Sequence, residues 1–167
     1  MKKTIYAVVF MALLLSSCAN EFNKVYKSTD NNFKYEYAKE SFVKGKYVRA
    51  SSLLQGLVTM QKGSENAQES LYMLGLSEFN SRDYEGAAAT FKKYCQSYPK
   101  GYYTQEARFL IGMSLYNCTP EPRLDQSQTV NAIAAFQEYI DLYPDGNQKK
   151  DAQQRLFELQ DKLVQKE

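Results

Sequence analysis

The feature that most constrains this chain is a pattern that recurs every 37 residues. An aromatic residue, a small residue three positions later and a second aromatic residue four positions after that occur three times. The copies are Tyr35-Ala38-Phe42, Tyr72-Gly75-Phe79 and Phe109-Gly112-Tyr116. Spacings of three and four place the residues of each triplet on one face of an α-helix. A pattern with this period predicts an array of stacked repeat units.

A second helical pattern follows each triplet. Its small residue is Ala50, Ala87 or Ala132, and the second and third copies end at Pro99 and Pro144. Ala50 and Ala87 are 37 residues apart, whereas Ala87 and Ala132 are 45 apart, so the third copy holds eight inserted residues within 117–129. Small residues let two helices approach closely, and a proline ends a helix. This order of small, aromatic and proline positions resembles the tetratricopeptide (TPR) repeat.

The TPR resemblance implies an all-α fold, a right-handed superhelix of about three helix pairs within residues 33–167. We expect Asn66 and Thr104 to be the N-caps of the first helices of repeats two and three. Residues 147–167 predict one more amphipathic helix, because Ala152, Leu156 and Leu159 recur at helical spacing. This helix is either a cap on the stack or the first half of a degenerate fourth repeat.

The N-terminus has the order of a bacterial lipoprotein signal. Met1-Lys2-Lys3 is basic, Ile5–Leu15 is apolar, and Leu15-Ser16-Ser17-Cys18 follows. The apolar run is too short to span a hydrocarbon core about 30 Å thick. We predict a signal peptide over residues 1–17, a lipid on the sulfur of Cys18 and a lipidated tether over residues 18–32. An ordinary secretory signal, or a structural role for Cys18, is the alternative.

Composition excludes several classes of function. The chain has no histidine, which excludes Ser-His-Asp and Cys-His catalytic centres and histidine-ligated metals. Asp83 and Glu85 are better explained as acidic residues at a helix start than as a glycosidase pair. Residues 18–167 carry 19 basic and 19 acidic residues, so no basic stripe for nucleic acid is expected. We therefore expect no catalysis, no cofactor and no metal.

The two remaining cysteines, Cys95 and Cys118, are not expected to pair. Cys95 comes before the predicted helix from Thr104 to Tyr116 and Cys118 comes directly after it. That helix is about 18 Å long. A disulfide needs Cα atoms within about 7 Å. We expect a buried thiol at Cys95 and a loop thiol at Cys118.

The lipoprotein signal, the repeats and the insertion after Tyr116 together resemble the BamD family of outer-membrane β-barrel assembly lipoproteins. Further motifs that carry this resemblance are Tyr98-Pro99, Tyr143-Pro144 and Asp151-Ala152-x-x-Arg155-Leu156-x-x-Leu159-x-x-x-Leu163. The resemblance covers about three of that family's five repeats.

It implies a non-catalytic subunit held by its lipid at the periplasmic face of the outer membrane. The implied partners are a BamA-like β-barrel insertase, other assembly subunits, unfolded outer-membrane proteins and, through the lipid, the membrane. Ala19 rather than Asp follows the cysteine, which favours the outer membrane over the inner one.

The first helices of the repeats supply the candidate binding surface. Residues i, i+4 and i+7 share a helix face, so Tyr72, Leu76 and Phe79 form a stripe. In TPR proteins this stripe lines a concave groove, and apolar walls with nearby amides suit an extended peptide. The candidate partner-binding residues are Tyr35, Phe42, Tyr72, Leu76, Phe79, Asn80, Phe109, Met113, Tyr116 and Asn117. Packing between helices is the alternative role for the aromatic residues.

Two other functions remain open. A periplasmic TPR coordinator of envelope or peptidoglycan machinery would use the same groove on different partners. A glycan-capture lipoprotein would be expected to have tryptophan stacking platforms, and this chain has no tryptophan.

Overall fold

The computed structural model describes residues 21–60, 63, 66–121 and 124–165. The predicted signal peptide and the lipid site at Cys18 lie outside the described residues. Within them every regular element is helical, beginning with residues 21–26. Seven longer helices follow: α1 (Asn31–Val43), α2 (Tyr47–Met60), α3 (Ala67–Asn80), α4 (Tyr84–Ser97), α5 (Thr104–Asn117), α6 (Ser127–Leu142) and α7 (Lys149–Val164).

The helices stack in the order of the chain. Each of the first six packs against its successor, and α5 also contacts α7. The pairs α1/α2, α3/α4 and α5/α6 are the three predicted repeats, and α7 packs on the last of them. This consecutive pairing confirms the predicted all-α, TPR-like superhelix.

Matched small and large residues hold each pair together. A β-carbon on Gly75 would lie 2.6 Å from the ring of Phe91, and one on Gly112 would lie 2.7 Å from the ring of Phe136. The helices therefore approach so closely that only a hydrogen fits at either glycine. In the first repeat the equivalent positions hold Ala38 and Leu54, both fully buried. There alanine replaces the smaller glycine, and leucine replaces the larger phenylalanine.

In repeats two and three a buried tyrosine on the second helix bonds both to the first helix of its own repeat and to the segment that follows. Gln68 and the backbone N–H of Tyr103 both donate to the hydroxyl of Tyr94, at 2.6 and 3.2 Å. In the next repeat Gln105 donates to the Tyr139 hydroxyl at 3.3 Å. Both tyrosines are fully buried, so these bonds satisfy hydroxyls that water does not reach.

The turn after each of these helices passes close to its tyrosine. A β-carbon on Gly101 would lie 2.7 Å from the Tyr94 hydroxyl, and one on Gly146 would lie 2.6 Å from the Tyr139 hydroxyl. Each of these glycines is the last residue of a Tyr-Pro-x-Gly run. The first repeat has Leu57 at the position of the tyrosine, so it lacks this tie.

The inserted residues lengthen both a connection and a helix. Nine residues, 118–126, join α5 to α6, whereas three, 81–83, join α3 to α4. The remaining two insertions lie in the first turn of α6, which starts earlier relative to Ala132 than α4 does relative to Ala87. Gln126 holds the long connection, since it donates to the carbonyls of Glu121 and Leu124 at 2.7 and 3.0 Å.

The N-terminal boundary differs from the sequence prediction. Val25, in the predicted tether, is 1% exposed and belongs to the core cluster of the first repeat. Helix α1 then begins at Asn31, with the Asp30 side chain accepting from the N–H of Phe33. The folded part of the chain therefore starts before residue 33, because an apolar residue of the tether fills the open end of repeat one.

The predicted caps are confirmed only in part. Asn66 occupies the N-cap position of α3, as predicted, but its side chain makes no capping hydrogen bond. Thr104 is the first residue of α5 rather than its N-cap, and its hydroxyl donates to the carbonyl of Tyr98. The Thr104 hydroxyl therefore bonds to the preceding turn instead of capping the start of α5.

The cysteine prediction is confirmed. Cys95 and Cys118 are both free, with Cys95 buried and Cys118 partly exposed at the end of α5. Burial raises the pKa of both thiols, which keeps them in the less reactive protonated form.

Candidate functional site

Two of the ten candidate residues are core residues, which corrects their placement on an open groove. Tyr35 and Tyr72 are 3% and 6% exposed. The ring of Tyr103, from the turn before α5, stacks parallel to Tyr72 with ring centroids 4.2 Å apart. The ammonium of Lys39 lies 5.1 Å from the centroid of the Tyr35 ring. Tyr72 is therefore covered by a side chain from outside its own helix, and Tyr35 by the lysine four residues further along α1.

Acidic side chains of the following repeat lie close to these tyrosines. Burial is the main reason that the pKa of Tyr35 is raised, and Glu69 raises it further. Burial and then Glu106 act on the pKa of Tyr72 in the same way. Since Glu69 and Glu106 are 37 residues apart, a tyrosine of one repeat faces a glutamate of the next at both junctions.

The remaining apolar candidates are half-buried. They pack one side against the core clusters and leave the other side at the surface; they are Phe42, Leu76, Phe79, Phe109, Met113 and Tyr116. Leu76 and Met113 occupy equivalent positions in repeats two and three. The first repeat has Lys39 there, paired with Glu69 at 3.6 Å. The stripe is therefore apolar over α3 and α5 and charged over α1, which the spacing of 37 between Lys39 and Leu76 could have revealed.

Edge-on ring pairs brace the ends of two first helices. Phe42 packs against Tyr47 and Phe79 against Tyr84, each pair with ring centroids 5.4 Å apart. The third repeat has Thr129 where the tyrosine would be.

Tyr116 of the third repeat turns instead to the next helix. Its hydroxyl donates to Glu158 of α7 at 2.8 Å, and the guanidinium of Arg155 lies 5.0 Å from its ring centroid. The bond to Glu158 is the main reason that the pKa of Tyr116 is raised and that of Glu158 is lowered. In the repeat that holds the insertion, Tyr116 thus contacts α7 instead of a tyrosine of the second helix. Helix α7 covers this end of the stripe.

Two asparagines present the same chemistry one repeat apart. The side-chain nitrogen of Asn80 donates to the carbonyl of Leu76 at 2.7 Å, and that of Asn117 donates to the carbonyl of Met113 at 2.8 Å. Both side chains are exposed. Because each nitrogen bonds to its own helix, each side-chain oxygen remains as an acceptor at the surface.

We use the term concave stripe for the accessible candidates on α3 and α5: Leu76, Phe79, Asn80, Phe109, Met113, Tyr116 and Asn117. A cavity of about 510 Å³ lies elsewhere, between α4, α5 and α6, with Lys92 and Cys95 in its lining. None of the ten candidate residues contributes to that cavity. The stripe therefore lies on the surface away from that cavity, and an accessible surface of this kind suits an extended chain.

Neither a metal centre nor a membrane span is found in the part of the chain that the structure describes. It contains no group of three or more metal-ligating residues. No helix there combines the length and apolar character needed to cross a bilayer.

Comparison with known families shows which family the chain belongs to. A family model described as "YfiO: Outer membrane lipoprotein" matches residues 27–167. This chain belongs to the YfiO family of outer membrane lipoproteins. The match includes all seven long helices and the whole concave stripe.

A curated relative of this YfiO-family chain is the outer membrane protein assembly factor BamD of Caulobacter vibrioides. The two are 23% identical over 164 residues, which cover 96% of this chain and 54% of the relative. This similarity confirms the BamD-like resemblance. The chain spans about half the length of the curated relative it matches.

Proposed function

We propose that this chain is a non-catalytic lipoprotein subunit of the outer-membrane β-barrel assembly machinery. In this role the concave stripe holds unfolded barrel proteins or partner subunits. A lipid on Cys18 anchors the chain at the periplasmic face of the outer membrane, beside a BamA-like insertase and other assembly subunits. The family match over residues 27–167 is the observation that carries this proposal.

The stripe fits the chemistry of an unfolded barrel strand. Barrel strands alternate apolar and polar side chains, so an extended strand presents an apolar face whose side chains repeat about every 7 Å. Leu76 and Met113 offer apolar surface to that face. The side-chain oxygens of Asn80 and Asn117 accept backbone N–H groups that the unfolded strand leaves unpaired. Holding a strand in this way requires no catalytic residue.

The test places a photo-crosslinking amino acid at position 76 or 113 of the lipidated protein in native membranes. We expect crosslinks to barrel proteins in transit from both positions. Matched control positions are Val130 and Leu142 of α6, which are 53% and 50% exposed and lie outside the stripe. Equal crosslinking from stripe and control positions would show that the stripe is not the binding surface.

A second experiment addresses the partners. The lipidated protein is captured from outer membranes in mild detergent, and the proteins that accompany it are quantified by mass spectrometry. Near-equal recovery of a β-barrel insertase supports the proposal. Recovery of cell-wall or division proteins without an insertase would replace it with the periplasmic coordinator of envelope machinery.

A further inference from the structure

The N-terminal end of the helical stack exposes apolar and basic side chains together. Tyr26, Lys34 and Met60 line a cavity of about 270 Å³, with Leu53 and Leu57 also in its lining. Tyr26 and Met60 are 53% and 68% exposed, whereas the two leucines are 2% and 1% exposed. We define the basal patch as Tyr26, Met60 and the lysines at 24, 27 and 34.

Charge is distributed unevenly along the folded chain. Residues 21–49 carry seven Lys and Arg and four Asp and Glu, a net charge of +3. Residues 50–167 carry twelve basic and fifteen acidic residues, a net charge of −3. Among the described residues, the salt bridges involve none of the three lysines of the basal patch. The basal patch thus lies in the basic N-terminal segment of the folded chain, whereas the rest of the chain carries a net negative charge.

The patch lies very close to the predicted lipid. Residues 21–26 are already helical, and Val25 is fixed in the core. Only three residue steps separate Cys18 from Glu21, a reach of at most about 11 Å in an extended chain. A lipid on Cys18 would therefore hold the basal patch at the membrane surface.

We propose that the basal patch rests on the phospholipid headgroups of the membrane that holds the lipid. Its lysines face anionic headgroups, and Tyr26 and Met60 enter the interface, where amphipathic and apolar side chains are favoured. The first repeat then contacts the bilayer surface, and this contact fixes the distance between the concave stripe and the membrane. This inference rests on the lipid anchor in the proposed function, but it needs no assembly partner.

The test measures vesicle binding without the lipid anchor. Residues 18–167 carrying Cys18→Ala are mixed with vesicles of phosphatidylethanolamine containing phosphatidylglycerol, or with vesicles of phosphatidylcholine alone, and are sedimented. We expect binding to the anionic vesicles that weakens with added salt. Replacing Lys24, Lys27 and Lys34 with Gln is expected to weaken it about a hundredfold, from about fivefold per lysine.

The matched control replaces Lys92, Lys93 and Lys100 with Gln. All three are exposed and lie on α4 or the turn after it, so this variant loses the same charge far from the patch. Its binding is expected to be close to that of the parent. Equal weakening of the two triple variants, or no binding by the parent, would overturn the proposal.

Fluorescence locates the contact directly. The chain has no tryptophan, so Tyr26→Trp introduces a unique reporter into the patch. Its emission is expected to shift to shorter wavelength with anionic vesicles, whereas a tryptophan at Tyr102, which is 88% exposed, keeps its aqueous emission. The opposite pattern would place the membrane contact elsewhere. None of these measurements uses a barrel protein, so they separate this proposal from that of the concave stripe.

Discussion

The residue on one helix of a repeat limits the size of its partner on the other. Phe91 is fully buried, and a β-carbon on Gly75 would lie within 2.9 Å of three of its ring atoms. The ring has no open space to move into, so an added methyl must push the helices apart. Overpacking of this kind costs about 1–3 kcal/mol.

We therefore expect Gly75→Ala to lower the free energy of unfolding by about 1–3 kcal/mol, measured by urea denaturation. Gly56→Ala is the control, because it makes the same change within α2 where no atom beyond the adjoining backbone lies within 4 Å of the added carbon. The control is expected to gain up to about 1 kcal/mol from helix propensity. Opposite signs for the two variants would confirm that crowding, rather than backbone preference, decides the effect.

A double-mutant cycle tests the pairing itself. Phe91→Leu alone leaves a cavity and is expected to destabilise the fold. Combined with Gly75→Ala it recreates the alanine and leucine pair of the first repeat, so the double variant should lose less stability than the two single losses together. Simple additivity would show that the two positions do not act as a pair.

Glu78 is a buried carboxyl group on α3, and it predicts a pH dependence. Glu78 is 5% exposed, and burial raises its pKa above the ordinary 4.5, although hydrogen bonds from Thr90 and Gln55 oppose the shift. A raised pKa means that the folded state holds the proton more tightly, so stability is lost as pH rises through the folded-state pKa. The neutral Glu78→Gln variant is spared that loss.

We expect Glu78→Gln to be more stable than the parent at pH 7, by about 1 kcal/mol, as for an incompletely satisfied buried group. The difference should vanish below pH 4.5, where the parent carboxyl is protonated in both states. Thermal unfolding across pH 3–8 measures this, with exposed Glu36→Gln as the control. A difference that is independent of pH would point to packing instead of ionisation.

At the scale of elements, the turn between α4 and α5 depends on one hydroxyl. Tyr94→Phe removes the acceptor for Gln68 and for the Tyr103 N–H. We expect a loss of about 1–3 kcal/mol, together with faster amide hydrogen exchange in residues 98–103. Tyr102→Phe removes a hydroxyl from the same turn but at an 88% exposed side chain, and it should change neither quantity. Unchanged exchange in Tyr94→Phe would show that backbone bonds alone hold the turn.

At the scale of the whole molecule, the core is divided rather than central. Helix α3 contributes Leu74 to a cluster with the first repeat and Leu71 to a cluster that continues to α7. Because repeats interact only with their neighbours, damage at one end of a stack is expected to stay local.

This division predicts where amide exchange rises. Leu54→Ala and Leu159→Ala remove side chains that are 0% and 1% exposed, each at a cost of about 2–5 kcal/mol. We expect Leu54→Ala to speed exchange mainly in α1–α3, and Leu159→Ala mainly in α6 and α7. A uniform rise along the chain in either variant would show a single cooperative core.

The sequence alone was enough to predict the repeat architecture. The spacing of 37, the small residues and the insertion placed three helix pairs correctly, since helix faces and close approaches follow from local periodicity. It also indicated the lipoprotein family, because the signal motif and the repeat motifs can be recognised without knowing the three-dimensional structure. The half-buried stripe of Leu76 and Met113 followed from the same periodicity.

Which stripe residues are covered depends on tertiary contacts that the sequence pattern does not show. Tyr72 is buried because Tyr103 from another turn stacks on it, and Val25 joins the core because repeat one has an open end. Tyr116 turns to α7 because the inserted third repeat has no tyrosine to pair with it. Each of these depends on contacts between residues far apart in the chain, and helical periodicity describes only neighbours along it.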